Sequence, residues 1–331
     1  MSSPEILLLT SHDTRNLLAL DECIAAVEDA FRMHGEGLAM PPGVLSIHVP
    51  QGGFHIKAGM LHLVRQYFAA KVNANFPDNG ARFGLPTIQG VIVLCDAEKG
   101  SPLAVMDSRE ITALRTAAAT AVAAKYLARP ESHVLTICGC GEQGGVQPKA
   151  LARVCSLEHV FAFDNKPGQA ERLAQELTDA LKISVTPVRD LAQAVRQSDV
   201  CITCTPSRQP LLSADDIQPG TFIAAVGADS PVKQELHPAL MAKSKIVTDI
   251  TEQSAVMGDL HHALEAGTVT LANVHAQLGE VVAGKKIGRE SPDEIIVFDS
   301  TGMALQDVAA AVLLYEKARQ AGAGVCFSLA A

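Results

Sequence analysis

The pattern of apolar and polar positions changes at Pro130. Beyond it, short apolar runs alternate with amphipathic stretches: "HVLTICG" from His133, a helix to about Arg153, then "HVFAFD" and the helix "PGQAERLAQELTDAL". The series continues through "SVTPV", the helix "LAQAVRQS", and the strands "DVCITCT", "TFIAAVG" and "SKIVTDI". Continuous apolar strands separated by helices of period 3.6 predict a parallel, doubly wound sheet. Before Pro130 the texture differs. A helix is predicted from Asp21 to about Gly37, followed by a strand-and-turn region holding Pro41, Pro42, Gly52 and Gly53. "YFAAKVNANF" alternates with period two, so Phe68, Ala70, Val72, Ala74 and Phe76 share one face, while Lys71, Asn73 and Asn75 share the other. "GVIVLCDAEKGSPLAVMDS" reads as two strands joined by a turn near Lys99 and Gly100; "REITALRTAAATAVAAKYLA" reads as a long Ala-rich helix. The C-terminal "EIIVFDSTGMALQDVAAAVLLYEKARQ" reads as a strand, a tight turn and a helix that needs a partner surface.

The turn after the first strand beyond Pro130 carries a chemical signal. Gly139, Gly141 and Gly144 have the spacing G-x-G-x-x-G, a strand precedes them, a helix follows, and Asp164 ends the next strand twenty residues after Gly144. That context specifies a dinucleotide site: the helix N-terminus offers free N–H groups and positive dipole to a pyrophosphate, and glycine allows close approach. A carboxylate at Asp164 accepts from both ribose hydroxyls and repels a 2′-phosphate, which selects NAD over NADP; Lys166 softens the repulsion. Asp164 serves equally as a cap for the helix after Pro167. Pro148 is tolerable only near the first turn of its helix.

Composition narrows the field. The net charge is −9 without a dense Lys/Arg run, which argues against a nucleic-acid or anionic-membrane partner. The apolar runs are shorter than a membrane span and "MSSPEILLLT" lacks a signal peptide's basic start, so a cytoplasmic location is expected. Cys201 with Cys204, and Cys138 with Cys140, form C-x-x-C and C-x-C pairs inside strand-like runs. With no second C-x-x-C or paired His motif beside them, they read as reduced core thiols, and no metal is expected.

Arg115 stands out on the long helix. Ile111, Arg115, Ala118 and Val122 fall on one stripe, so the guanidinium rides an apolar flank and needs an anion, whether a structural carboxylate or a ligand. Asp229 follows a strand at the predicted carboxyl edge of the sheet, where ligands bind; an Asx-turn before Pro231 accounts for it equally well.

"GLPTIQGVIVL", "LAVMDSREITALRTAAATAVAAKYLA", "GCGEQG", "VGADSPVKQEL", "AQLGEVVAG" and "FDSTGMALQDVA" occur in this order over nearly the whole chain. Together they resemble the ornithine cyclodeaminase/mu-crystallin family. The resemblance implies a homodimer and a Rossmann domain, residues 119–303, inserted in an α+β substrate-binding and dimerisation domain, residues 1–118 plus 304–331. Alone, Lys71 reads as a solvated lysine; the resemblance makes it the match of the lysine that binds the substrate carboxylate. Arg115 matches an arginine shared between that carboxylate and the cofactor phosphate. Asp229 matches the acid/base of the cyclodeaminases, absent from several reductases and from the crystallin. The resemblance also implies cofactor positions at Thr87, Thr116, Glu142, Gln143, Thr205, Val226, Lys233 and Ser300, and a substrate position at Thr301.

Two departures from the family pattern stand out. Gly43 occupies the place of a carboxylate-binding arginine, and Lys57-Ala58 replaces Met-Pro. Lys57 is expected either to substitute for the lost arginine or to be a surface lysine. His55 stands where cyclodeaminases carry a glutamate that steers a second substrate amine. These features rank an NAD-dependent amino-acid dehydrogenase or imine reductase first and a cyclodeaminase that recycles NAD second. A non-catalytic NAD(P)H-dependent binding protein, which would not need Asp229, comes last.

Overall fold

The structure, a computed structural model, describes residues 5–40 and 42–328; Pro41, named above, lies outside the described residues. The chain separates into two compact units, one running to Arg115 and resuming at Met303, the other spanning Thr116–Gly302.

The first unit is built on β1 (Glu5–Leu9), β2 (Gly43–Val49), β3 (Gly52–His62), β4 (Gln66–Asn75), β5 (Ile88–Asp96) and β6 (Pro102–Asp107). With the last strand of the chain, Val325–Ser328, they form one sheet in the order last strand–β1–β6–β5–β4–β3–β2. Only β1 and β6 run parallel. Pairing of β3 with β4 sets Lys57 directly opposite Lys71. The period-two pattern of β4 is observed, with an unexpected orientation. Tyr67, Ala69, Lys71 and Asn73 face inward, whereas Phe68 and Val72 each remain 37% exposed. The inward face is covered by the C-terminal helix Ala304–Ala321, which packs on β3, β4 and β5 and on the helix Leu20–Glu36. That helix is buried around most of its girth, so the surface it demands is the lysine-bearing one.

The second unit holds β7 (Val134–Cys138), β8 (His159–Phe163), β9 (Ser184–Val188), β10 (Val200–Thr203), β11 (Arg208–Leu212), β12 (Phe222–Ala225), β13 (Gln234–Leu236), β14 (Lys245–Thr248), β15 (Val274–Gln277) and β16 (Ile296–Asp299). Eight of these form an all-parallel sheet ordered β15–β14–β16–β12–β10–β7–β8–β9. β10, β12 and β16 are buried at every position and β7 at all but its first, as the apolar runs predict. Strand order reverses between β7 and β10, the position where such sheets open a crevice for ligands. β11 and β13 pair separately as a short parallel ribbon that the sequence pattern did not reveal.

The Ala-rich helix spans Ser108–Leu127, and the boundary between units falls within it, after Arg115. Pro148 corrects an expectation. It is the seventh residue of the ten-residue helix Glu142–Leu151, beyond the first turn. Its fixed φ suits a helix, and the residue four positions back, whose carbonyl it leaves without a helical donor, is a glycine. Among the described residues no helix is long and apolar enough to cross a membrane.

Candidate functional site

In the second unit the carboxyl ends of β7, β8 and β10 surround a cavity of about 490 Å³ lined by Gly139, Gly141, Asp164, Lys166, Arg172 and Thr205, among others. The backbone there fits a dinucleotide. Gly139 has φ +103°, and a Cβ on it would lie 2.9 Å from the Cys204 carbonyl oxygen; a Cβ on Gly144 would collide with the Gly139 carbonyl. These two glycines are thus required by the turn itself. Gly141, the N-cap of the helix Glu142–Leu151, faces open space, which leaves room for a phosphate at that terminus. Glu142 is exposed at the first helical position, and Gln143 is held through its Oε1 by the Gln147 amide at 3.2 Å.

Asp164 sits at the end of β8, turned back toward the glycine loop. Its Oδ2 accepts from the Cys140 amide at 2.7 Å and its Oδ1 from the Lys166 amide at 2.8 Å. The carboxylate is therefore oriented by the turn it serves. Cys138, Cys140 and Cys201 are buried, and burial pushes their thiols up, Cys140 to about 12. They are neutral thiols, not nucleophiles.

Farther along the same edge, Val226 donates its amide to Thr203 at 2.9 Å. Asp229 is half-exposed and pairs with Lys233, whose Nζ lies 2.6 Å from its Oδ1. Ser300 and Thr301 are both buried and lean on Asp249: the Thr301 hydroxyl donates to it at 3.0 Å and accepts from Gln253 at 2.8 Å. Thr116 is half-buried on the Ala-rich helix, where its carbonyl accepts from the Thr120 hydroxyl.

In the first unit, charge converges under the C-terminal helix. Lys71, 3% exposed, places Nζ 2.8 Å from both oxygens of Asp307, hydrogen-bonding Oδ1. Arg115, on the buried stripe its spacing predicts, donates Nε to the same Oδ1 at 2.9 Å and Nη1 to Gln306 Oε1 at 2.8 Å. Lys57 lies opposite Lys71 on β3 and is 8% exposed, so the surface-lysine alternative is excluded. Burial, with help from the positive charges of Arg115 and Lys57, pulls the Lys71 ammonium down to about 7 despite Asp307. Burial pushes the Asp307 carboxyl up, but Arg115 and Lys71 outweigh it and hold it below the usual carboxylate range. Two buried polar atoms beside these cations, Gln306 Nε2 and Asp307 Oδ2, have no hydrogen-bond partner. His55 is half-buried on β3 and its Nδ1 pairs with the Ser46 hydroxyl at 3.1 Å. Thr87 is exposed in the loop before β5.

The sequence matches the ornithine cyclodeaminase/mu-crystallin family over residues 5–322. The chain belongs to that family. It is 41% identical over 321 residues to the alanine dehydrogenase of Archaeoglobus fulgidus, covering 97% of each chain. An archaeal alanine dehydrogenase dimer with bound NAD superposes with a TM-score of 0.94 at 40% identity, over 98% of this chain and 99% of that one. The Δ1-pyrroline-2-carboxylate reductase of Thermococcus litoralis, in complex with NADH and L-proline, gives 0.93 at 35% identity, over 97% and 99%. Relatives of this kind make the chain an enzyme of the family.

Asp307 and Gln306 were absent from the sequence reading. The clue was available: a carboxylate inside the apolar run "MALQDVAAAVLL" raises the same demand for a buried partner that singled out Arg115.

Proposed function

We propose that the chain is an NAD-dependent oxidoreductase acting on the α C–N bond of an amino or imino acid, as a homodimer. One observation carries the substrate side: Lys57, Lys71 and Arg115 are buried around a single carboxylate, Asp307, with the Gln306 amide N–H left without an acceptor. Positive charge concentrated beside an unused amide donor in a dry site suits an anion, and an α-carboxylate fits that chemistry. The first unit is accordingly the substrate-binding and dimerisation domain. The second is the cofactor domain, and Asp164, oriented by two amides, favours NAD over NADP.

In the oxidative direction Lys71, Arg115 and Lys57 clamp the carboxylate and fix the α-carbon, and positioning is the main service a protein renders to hydride transfer. Asp229 takes a proton from the substrate ammonium, so the nitrogen lone pair can assist departure of the α-hydride. The cofactor, when bound, supplies the hydride acceptor. Water then adds to the imino product, ammonia leaves and a keto acid remains; in the reverse direction an imine gains the hydride and one proton. Lys233 orients Asp229 between turnovers.

The test is incubation with NAD and a panel of amino acids, following NADH and free ammonia together. Ammonia matched by NADH supports the dehydrogenase. Ammonia without NADH, from ornithine or lysine, would replace this reading with cyclodeamination. Asp229→Asn should reduce turnover by about 10²-fold while NADH binding is retained; an unchanged rate would remove Asp229 from the mechanism.

A further inference from the structure

Glu235, on β13, is wholly buried, yet its carboxylate reaches the ends of two strands of the main sheet. Oε1 accepts from the Thr205 amide at 2.6 Å and the Thr205 hydroxyl at 2.7 Å. Oε2 accepts from the Thr203 hydroxyl and the Gly227 amide, each at 2.8 Å. Four donors fill the acceptor capacity of an ionised carboxylate. Thr203 ends β10, and Thr205, two residues on, lines the glycine-loop cavity. Gly227 follows β12 and stands two residues before Asp229.

The residue is itself anchored from the far side. The amides of Glu235 and Leu236 donate to Asp259 Oδ1 at 2.9 and 2.8 Å, and an imidazole nitrogen of His262 pairs with the Lys233 carbonyl at 2.8 Å. Asp259 and His262 share the short helix Asp259–Glu265. That helix thus braces the segment from Lys233 to Leu236. Glu235 transmits the bracing to the ligand-facing turns.

We propose that Glu235 is a positioning residue that locks Thr205 and the Gly227–Asp229 turn together in the form that receives the dinucleotide, which rests on the functional reading above. Its effect is conditional on charge. The ionisable groups facing it are Asp259 from the short helix and the thiols of Cys138, Cys201 and Cys204 from β7, β10 and the turn after β10. None of these supplies a positive charge. Burial first, and Asp259 second, push the Glu235 carboxyl up to about 7, against the hydrogen bonds from Thr205 and Thr203. A protonated carboxyl turns one of these bonds around, donating to the Thr203 or Thr205 hydroxyl, and without its charge it holds the Thr205 and Gly227 amides less tightly, so protonation weakens the lock. Cofactor binding that needs the locked form favours the ionised state; NADH affinity therefore rises with pH and levels off above about 7.

The experiment measures the NADH dissociation constant by nicotinamide fluorescence across about pH 5.5–8.5, for the wild-type protein and for Glu235→Gln, with melting temperatures as control. Expected are an affinity in the wild type that weakens on acidification, and a Glu235→Gln protein that binds about tenfold more weakly at the alkaline end with little dependence on pH. A variant that melts lower but matches the wild-type affinity and pH profile would overturn the proposal. Should Glu235→Gln fail to fold, the wild type decides: hydrogen exchange at Thr205 and Gly227 should quicken, relative to the pH-corrected intrinsic rate, as pH falls through about 7, and a pH-independent NADH affinity would overturn it. Because binding is read without turnover, a protein that binds NADH in this way but converts no amino or imino acid would defeat the functional reading alone.

Discussion

Two buried charge clusters occupy the two units, and they are opposites. Under the C-terminal helix, Lys57, Lys71 and Arg115 gather around Asp307. In the parallel-sheet unit, Asp249, Asp259, Asp299 and Glu235 are all wholly buried, and backbone donors serve them. Asp259 takes two amides, Asp299 takes the amides of Asp259 and Leu260, and Asp249 takes the Gly302 amide at 2.6 Å. Carboxylates served by main-chain N–H groups are struts that fix loops. Cations gathered around one carboxylate are the side on which the proposed function places a substrate anion. The sign of the imbalance, together with the partner type, separates a binding site from scaffolding.

The largest test of this contrast is Asp307→Asn, which leaves Lys71 and Arg115 buried without their carboxylate. It should lower stability by about 3–5 kcal/mol, read as the shift in a denaturation midpoint. A loss below 1 kcal/mol would show that the cations find compensation elsewhere. Lys71→Met should fold and bind NADH, but lose about a hundredfold in kcat/KM. The same lysine sets a pH limb. In the proposed function a substrate carboxylate pairs with the ammonium; the ammonium is lost as pH rises through about 7, and so wild-type kcat/KM should fall on the alkaline side. Lys71→Met should lack that limb; an alkaline fall that survives the substitution assigns it to another group. Lys57→Met should raise KM about tenfold with kcat little changed. An unaltered KM would confine carboxylate binding to Lys71 and Arg115.

The smallest effect is expected from the other cluster. Asp259→Asn keeps the Oδ1 acceptor for both amides, and Oδ2, which has no partner, becomes an amide nitrogen. Stability should change by no more than about 1 kcal/mol, since the lost charge was held at a cost: burial pushes Asp259 up to about 6. A large loss there would erase the distinction between strut and ligand site.

Much of the architecture was legible. The parallel sheet announced itself through uninterrupted apolar runs, the dinucleotide turn through glycine spacing and Asp164, and Arg115 through its place on an apolar helical stripe. Lys71 was not legible from periodicity, because β4 turns its lysine face inward and its Phe68–Val72 face outward; the usual rule points the other way. β11 and β13 escaped because three to five residues carry too little pattern to read. Glu235 escaped because "KQEL" looks like an ordinary polar loop, and its donors come from segments eight to thirty-two residues distant.

The outward apolar face of the antiparallel sheet has a thermodynamic consequence. Phe54, Phe68, Val72 and Val91 are each 37–42% exposed on neighbouring strands of one chain. If the second copy in the proposed homodimer covers them, the free energy of folding includes a term in protein concentration. The midpoint of unfolding then climbs with the logarithm of protomer concentration, and dilution alone weakens the fold. For this chain, a melting temperature carries meaning only beside the concentration at which it was taken.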